Sequence, residues 1–281
     1  MSLLTINKLT PSVGAEVTGL DPEALAADDT LSAAVLDALE DNGVLVFPEL
    51  GLAPEAQVAF CRRLGEIDHS SDGHHPVAGI YPVTLDKSKN ASAAYLRATF
   101  DWHIDGCTPL NDDCPQKATV LSAKQVAERG GETEFANSYA AFEAFSAEEK
   151  ERFSSMRVVH SLEASQRRVN PDPSPELVAR WRSRPTHEHP LVWTHRSGRK
   201  SLVLGASADY IVGMDLDEGR ALLADLLERA TQPDLVYRHT WSVGDTVIWD
   251  NNGVLHRAAA YDPDSPREML RTTVLGDEPI Q

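Results

Sequence analysis

Residues 247–258 read Val247-Ile248-Trp249-Asp250-Asn251-Asn252-Gly253-Val254-Leu255-His256-Arg257-Ala258. An apolar strand ends at Asp250, a turn follows, and His256 stands just beyond it. This order suits a metal ligand delivered from a second strand of one barrel. Working outward, short strand-like runs dominate the chain. They are Leu4–Leu9, Val13–Leu20, Val44–Phe47, Ile80–Leu85, Ala118–Ala123, Arg157–Leu162, Leu191–Thr194, Ser201–Leu204, Leu235–Trp241, Thr246–Asp250 and Leu270–Leu275. Ser197-Gly198 between two such runs predicts a hairpin turn. Helical patterns fall at 29–40, Pro54–Leu64, Ser138–Arg152, Glu176–Arg184 and Asp217–Thr231, and Asp29 or Thr30 is the expected cap of the first. Many short strands with turn punctuation predict a sandwich or barrel, mainly β, with helices packed outside. The stretch 68–97 mixes His, Gly, Pro and Lys and reads as an irregular lid or surface loop.

The chain has 281 residues, 42% of them hydrophobic and 25% charged, which fits one domain spanning 1–281 with a sizeable core. The formal net charge of −17 disfavours nucleic acid and anionic membranes as partners. It still permits an anionic small molecule where arginines focus positive charge in a pocket. No run approaches the length of a membrane span, and the first residues have no apolar signal-peptide core. Three cysteines, Cys61, Cys107 and Cys114, make no disulfide framework and point to a reducing, cytoplasmic setting.

A second chemical signal is Trp102-His103-Ile104-Asp105. On extended backbone His103 and Asp105 project the same way. An imidazole nitrogen and a carboxylate oxygen at that spacing grip one metal together. Alone the tripeptide is weak; His256 supplies the missing third ligand. Two histidines and one carboxylate on one face leave open positions, as in non-haem Fe(II) oxygenases. A third signal is Arg267 with Arg271, four residues on, which share one face of an extended strand. Two guanidinium groups inside an acidic protein are costly unless they meet anions, and Arg suits carboxylates. The plainer alternative is that Glu268 or Asp277 answers them at the surface.

Taken together, these segments resemble the taurine / 2,4-dichlorophenoxyacetate (TauD/TfdA) family of 2-oxoglutarate dioxygenases. The matching motifs are Phe100-Asp101-Trp102-His103-Ile104-Asp105, Gly130-Gly131-Glu132-Thr133, His189-Pro190-Leu191-Val192-Trp193-Thr194-His195 with Gly198-Arg199-Lys200, Trp249-Asp250-Asn251 with His256-Arg257-Ala258, and Arg267 through Asp277. The resemblance implies a double-stranded β-helix, a cupin-like jelly-roll barrel. It implies Fe(II) on His103, Asp105 and His256, with O2 and 2-oxoglutarate as co-substrates. It implies that Thr133 and Arg267 hold the far carboxylate of 2-oxoglutarate and that Arg271 holds an anionic group of the main substrate. Trp249 and Asn251 are taken as support for the distal histidine. His69, in the histidine-rich run from Asp68 to His75, and Gly106, beside Asp105, are further candidate substrate contacts. A carboxylate at Asp105, where related halogenases carry a small residue, favours hydroxylation. Succinate and carbon dioxide are the implied co-products.

The substrate class stays open between sulfonates, sulfate esters, aryloxy acids, amino acids and biosynthetic intermediates. A homodimer or homotetramer is a family-level expectation. Two other readings compete: a zinc hydrolase on the same three ligands, and a jelly-roll module that binds without turnover. His160, Trp193 and Trp241 are expected in the core, and Cys107 could line the pocket.

Overall fold

The computed structural model describes residues 4–69, 75–109 and 114–281. Four apolar residues in succession, Val44–Phe47, form a strand buried on both faces. It lies parallel to Ala15–Thr18 and antiparallel to Thr246–Asp250. These belong to a seven-stranded sheet ordered Thr5–Lys8, Ala15–Thr18, Val44–Phe47, Thr246–Asp250, Gln116–Gln125, Glu268–Leu275 and Tyr81–Val83. Strand alternation sends Leu45, Phe47 and Ile248 to one face, where they pack with Leu39 and Phe60 of the helices Asp29–Asn42 and Pro54–Leu64. It sends Val46, Val247 and Trp249 to the other, against Phe135 and Val254. Phe135 and Val254 come from a three-stranded sheet, Val236–His239, Thr133–Asn137 and Val254–Ala258. Two sheets thus face each other across an apolar layer, with helices outside the larger one, a mainly β arrangement.

The helix starts and stops follow local chemistry. Asp28, rather than Asp29 or Thr30, caps Asp29–Asn42 by accepting from the amides of Thr30 and Leu31. Gly43 ends it at φ 70°. The helix predicted over Ser138–Arg152 is two, Ser138–Glu143 and Ala147–Ser154, because Ser146 and Glu149 form a capping box between them. The run Arg157–Leu162 stops at His160, where Ser161 caps the helix Leu162–Val169. Strands Thr133–Asn137, His187–Pro190 and Ala208–Ile211 are not among the sequence-based expectations, while Val254–Ala258 is the second strand expected to carry His256. Val192–Thr194 and Lys200–Leu202 do form the hairpin expected around Ser197-Gly198. The irregular stretch 68–97 includes Ser70 to His74, which lie outside the described residues; it contains the strand Tyr81–Val83, and the 3-10 helix Ala93–Phe100 covers its end.

The turn between Asp250 and Val254 is built against Tyr139. Its phenol donates to Asp250 Oδ2 at 3.1 Å, and the Asn252 amide donates to Oδ1 at 2.9 Å. Asp250 is fully enclosed, and burial pushes its carboxyl up to about 6. A Cβ on Gly253 would stand 1.8 Å from the Tyr139 ring.

Two outcomes are expected. Gly253→Ala overpacks this corner and costs about 1–3 kcal/mol; thermal melting would show a Tm several degrees lower, and an unchanged Tm would mean that the Tyr139 helix yields freely. Asp250 binds its proton more tightly folded than unfolded, so this stabilising uptake is complete below the ordinary value of 3.8 and is lost as pH rises through about 6. Asp250→Asn removes that dependence, so the Tm of the variant relative to the native chain rises between about pH 4 and pH 8. An upper limit for the gain is about 3 kcal/mol. A pH-independent difference would contradict the raised carboxyl.

Candidate metal centre

His103 and His256 are distant in sequence but meet through the backbone. The His103 amide donates to the His256 carbonyl at 3.0 Å, and the His256 amide returns the bond at 2.9 Å. This single antiparallel bridge stands the two imidazoles side by side, with ring centroids 4.2 Å apart. Asp105 follows, with Oδ1 3.8 Å from His103 Nε2 and Oδ2 3.6 Å from His256 Nε2. One ligand atom from each residue lies within 4.8 Å of the others. His103 Nδ1 faces the Asp101 carbonyl at 2.9 Å. A carbonyl only accepts, so Nδ1–H donates to it, and Nε2 is the atom left to face a metal.

Burial, followed by the neighbouring His103, pushes His256 down to about 3, so its imidazole is neutral. Burial opposes the charge of Asp105, but His256, His103, Arg271 and the Thr119 hydroxyl outweigh it and hold the carboxyl below its usual range. Neutral nitrogen lone pairs and a carboxylate converging on one point repel each other without a cation between them. The donor set fits a divalent metal, and three ligands on one face fit the facial arrangement.

These residues line a cavity of about 60 Å³ that also receives Thr133, Arg267 and Arg271. Arg267 is 3% exposed, donates from Nη2 to the Gly131 carbonyl at 3.1 Å, and stands 4.9 Å from the Tyr261 ring centroid. Gly131, at φ 76°, leaves the room: a Cβ there would stand 2.9 Å from Arg267 Nε. Arg271 lies 4.7 Å from the ring centroid of Tyr81, its cross-strand neighbour. Its buried Nε has no hydrogen-bond partner among the described residues. The acidic residues offered as surface answers are engaged elsewhere, Glu268 with Lys89 and Asp277 with Arg196. The shared face expected of Arg267 and Arg271 therefore opens on the cavity. Val83, Leu96, Phe100 and Leu121 supply apolar walls.

Other candidates are placed differently. Gly106 does not line the cavity; at φ 88° it turns the chain against Pro115, where a Cβ would come within 2.7 Å of Pro115 Cα. His69 is exposed and also absent from the lining. Cys107 belongs to the apolar core, and its carbonyl accepts from His189 at 2.9 Å. Asn251 supports the carboxylate side rather than His256: its amide donates to Thr119 Oγ1 at 2.9 Å, and Thr119 donates to Asp105 Oδ2 at 3.4 Å. His160 is fully buried, as expected. Sequence reasoning missed Tyr81, Phe100, Tyr261 and Thr119. Tyr261 had a signal in its position between His256 and Arg267; Tyr81 and Thr119 depend on cross-strand register. Gly205 was also missed: it allows the Ala206 amide to reach the Trp102 carbonyl at 2.7 Å, where a Cβ would strike His103 Cα at 2.8 Å.

Facing sheets with a two-histidine, one-carboxylate cluster fit the class of non-haem iron oxygenases. Residues 5–273 match the family described as taurine catabolism dioxygenase TauD, TfdA family, and the chain belongs to it. It is 35% identical to the alpha-ketoglutarate-dependent 2,4-dichlorophenoxyacetate dioxygenase of Cupriavidus pinatubonensis, over 96% of this chain and 97% of that one. It is 35% identical to pentalenolactone F synthase of Streptomyces arenae, over 80% of this chain and 79% of that one. Among solved structures, AAD-2 in complex with Mn(II) and N-oxalylglycine superposes with a TM-score of 0.83 at 32% identity, covering 99% of each chain. The family has the expected jelly-roll fold and the cofactor set of iron, 2-oxoglutarate and dioxygen. The zinc hydrolase and the non-enzymatic module give way to an oxidoreductase.

Proposed function

We propose that this chain, as one domain over residues 1–281, holds Fe(II) on His103, Asp105 and His256 and hydroxylates a small anionic organic molecule. The observation that carries the reading is the convergence of three metal-type donors, Thr133 and two arginines on one small cavity. In this reading Arg267 pairs with the far carboxylate of 2-oxoglutarate and Thr133 donates a hydroxyl to it. The 2-oxo acid end is thereby aimed at the metal. Iron held by these three residues would supply the oxidative chemistry by which 2-oxoglutarate and O2 become succinate and carbon dioxide as a C–H bond is hydroxylated. His103, Asp105 and His256 occupy one side and leave the other for the reactants. Arg271, beside Tyr81, takes the anionic group of the main substrate. Val83, Leu96 and Phe100 exclude water from the reacting bond.

The substrate is read by chemistry rather than by name: a compact organic anion whose charged group reaches Arg271 while its body meets apolar walls. Relatives whose names cite an aryloxy acid or a sulfate ester agree with an anionic group. Gly106 and His69 are left out of this reading, since neither borders the cavity. We also propose a cytoplasmic setting, which the three free cysteines favour, and a homo-oligomer as the family-level expectation.

Three measurements check the reading. Mn(II) with N-oxalylglycine should raise the Tm of the native chain and not that of His103→Ala or Asp105→Ala; an equal shift in all three would refute the ligand set. Succinate formation under Fe(II) and air should vanish in the same variants. Arg271→Ala should raise the KM of a substrate, found by screening organic anions, by about 10- to 100-fold with 2-oxoglutarate affinity kept. If every substrate parameter survives, Arg271 has another role.

A further inference from the structure

Trp241 reads from sequence as a core residue, and it is buried, at 8% exposed. Its indole N–H, however, does not end in the core. Nε1 donates to Thr133 Oγ1 at 3.0 Å. Thr133 borders the cavity, whereas Trp241 stands behind it, outside the lining. Thr133 is itself only 4% exposed, and its backbone is paired on both sides, to His239 and to Ala258. Only its side chain is free to turn. A threonine hydroxyl has one proton and two acceptor positions, while an indole N–H can only donate. The Trp241 bond therefore fills one acceptor position and leaves the proton uncommitted. Among the described residues Oγ1 has no second hydrogen-bond partner.

We propose that Trp241 is a positioning residue for the co-substrate: by donating to Thr133 it commits the Thr133 proton to the cavity, toward the carboxylate that Arg267 binds. The proposal rests on reading Thr133 and Arg267 as the 2-oxoglutarate clamp. A hydroxyl that accepts one hydrogen bond is also a stronger donor of its own, because aligned bonds polarise each other. The indole is fixed in turn. The His239 ring meets it edge-on, with centroids 4.5 Å apart at 86°. His239 Nε2 bonds Asp245 at 3.1 Å and its Nδ1 meets the Tyr237 phenol at 3.0 Å. Both ring nitrogens are engaged, so the imidazole is locked in one orientation behind Trp241.

The test is a double-mutant cycle in the Mn(II)-loaded protein, read by calorimetric titration with 2-oxoglutarate. Trp241→Phe keeps an aromatic ring but loses the indole N–H together with the five-membered ring, so the Thr133→Val background is what isolates the hydrogen bond. Trp241→Phe should weaken 2-oxoglutarate about five-fold, the worth of one neutral hydrogen bond, and leave Mn(II) affinity alone. In a Thr133→Val background the same change should do nothing, because the hydroxyl it acts through is gone. Binding of 2-oxopentanoate, which lacks the far carboxylate, should be equal in native protein and Trp241→Phe. Equal weakening by Trp241→Phe in both backgrounds, or none in either, would overturn the proposal. Arg267→Ala is run in parallel: if it leaves 2-oxoglutarate affinity intact, the clamp itself is misread, and if it alone weakens binding, only the role of Trp241 falls. Should Trp241→Phe not fold, the native chain compared with Thr133→Val, both metal-free, still decides. One indole N–H resonance must shift on Thr133→Val, and no shift among the five tryptophans would overturn the proposal.

Discussion

The site depends on one reciprocal pair of backbone hydrogen bonds, between His103 and His256. An antiparallel bridge of this kind fixes the distance and the facing of both side chains without using either of them. Each imidazole stays free for other work, yet neither can drift from the other. Everything else at the centre is arranged around that bridge. The Ala206 amide holds the Trp102 carbonyl from one side, which is possible only because residue 205 is glycine. The Asp101 carbonyl sets the His103 tautomer. Thr119, steadied by Asn251, supports the carboxylate.

Electrostatics then divides the cavity. The chain carries a formal charge of −17, yet Arg267 and Arg271 both line the cavity. Burying a guanidinium costs several kcal/mol unless an anion or a π face meets it. Arg267 meets the Tyr261 ring and the Gly131 carbonyl, and Arg271 meets Tyr81. These are partial answers, worth less than a carboxylate. In the proposed function that deficit selects anionic ligands in a protein whose exterior repels them. Arg267 sits beyond the strand edge near Gly130-Gly131 while Arg271 lies within the strand beside Tyr81, which would keep two anion positions apart.

Part of this was legible in the sequence because residues two or four apart on extended backbone can converge. His103 with Asp105 and Arg267 with Arg271 do meet in one cavity, although Asp105 falls in a turn and Arg267 lies just before the strand Glu268–Leu275. Buried runs such as Val44–Phe47 and Thr246–Asp250 were legible because continuous apolar residues leave few alternatives. The Thr133–Asn137 strand was not, since TEFAN mixes polar and apolar residues and owes its place to pairing on both sides. Contacts that need register, such as Tyr81 beside Arg271 or Trp241 behind Thr133, join segments that no local pattern links. Gly106 misled for a related reason: proximity to Asp105 in sequence says nothing of direction, and its positive φ turns the chain away.

Cys107 has a consequence of its own. It lies two residues beyond Asp105 and is sealed in the apolar core, where burial and then the Asp105 charge push its thiol up to about 12. The thiolate is the form that ligates metals and attacks oxidants. A sulfur held protonated is a poor rival to the neighbouring carboxylate for a soft or borderline metal. It is also a poor first target for peroxide formed when oxygen is reduced without a substrate in place. Burial first and the Asp105 charge second thus keep this thiol passive.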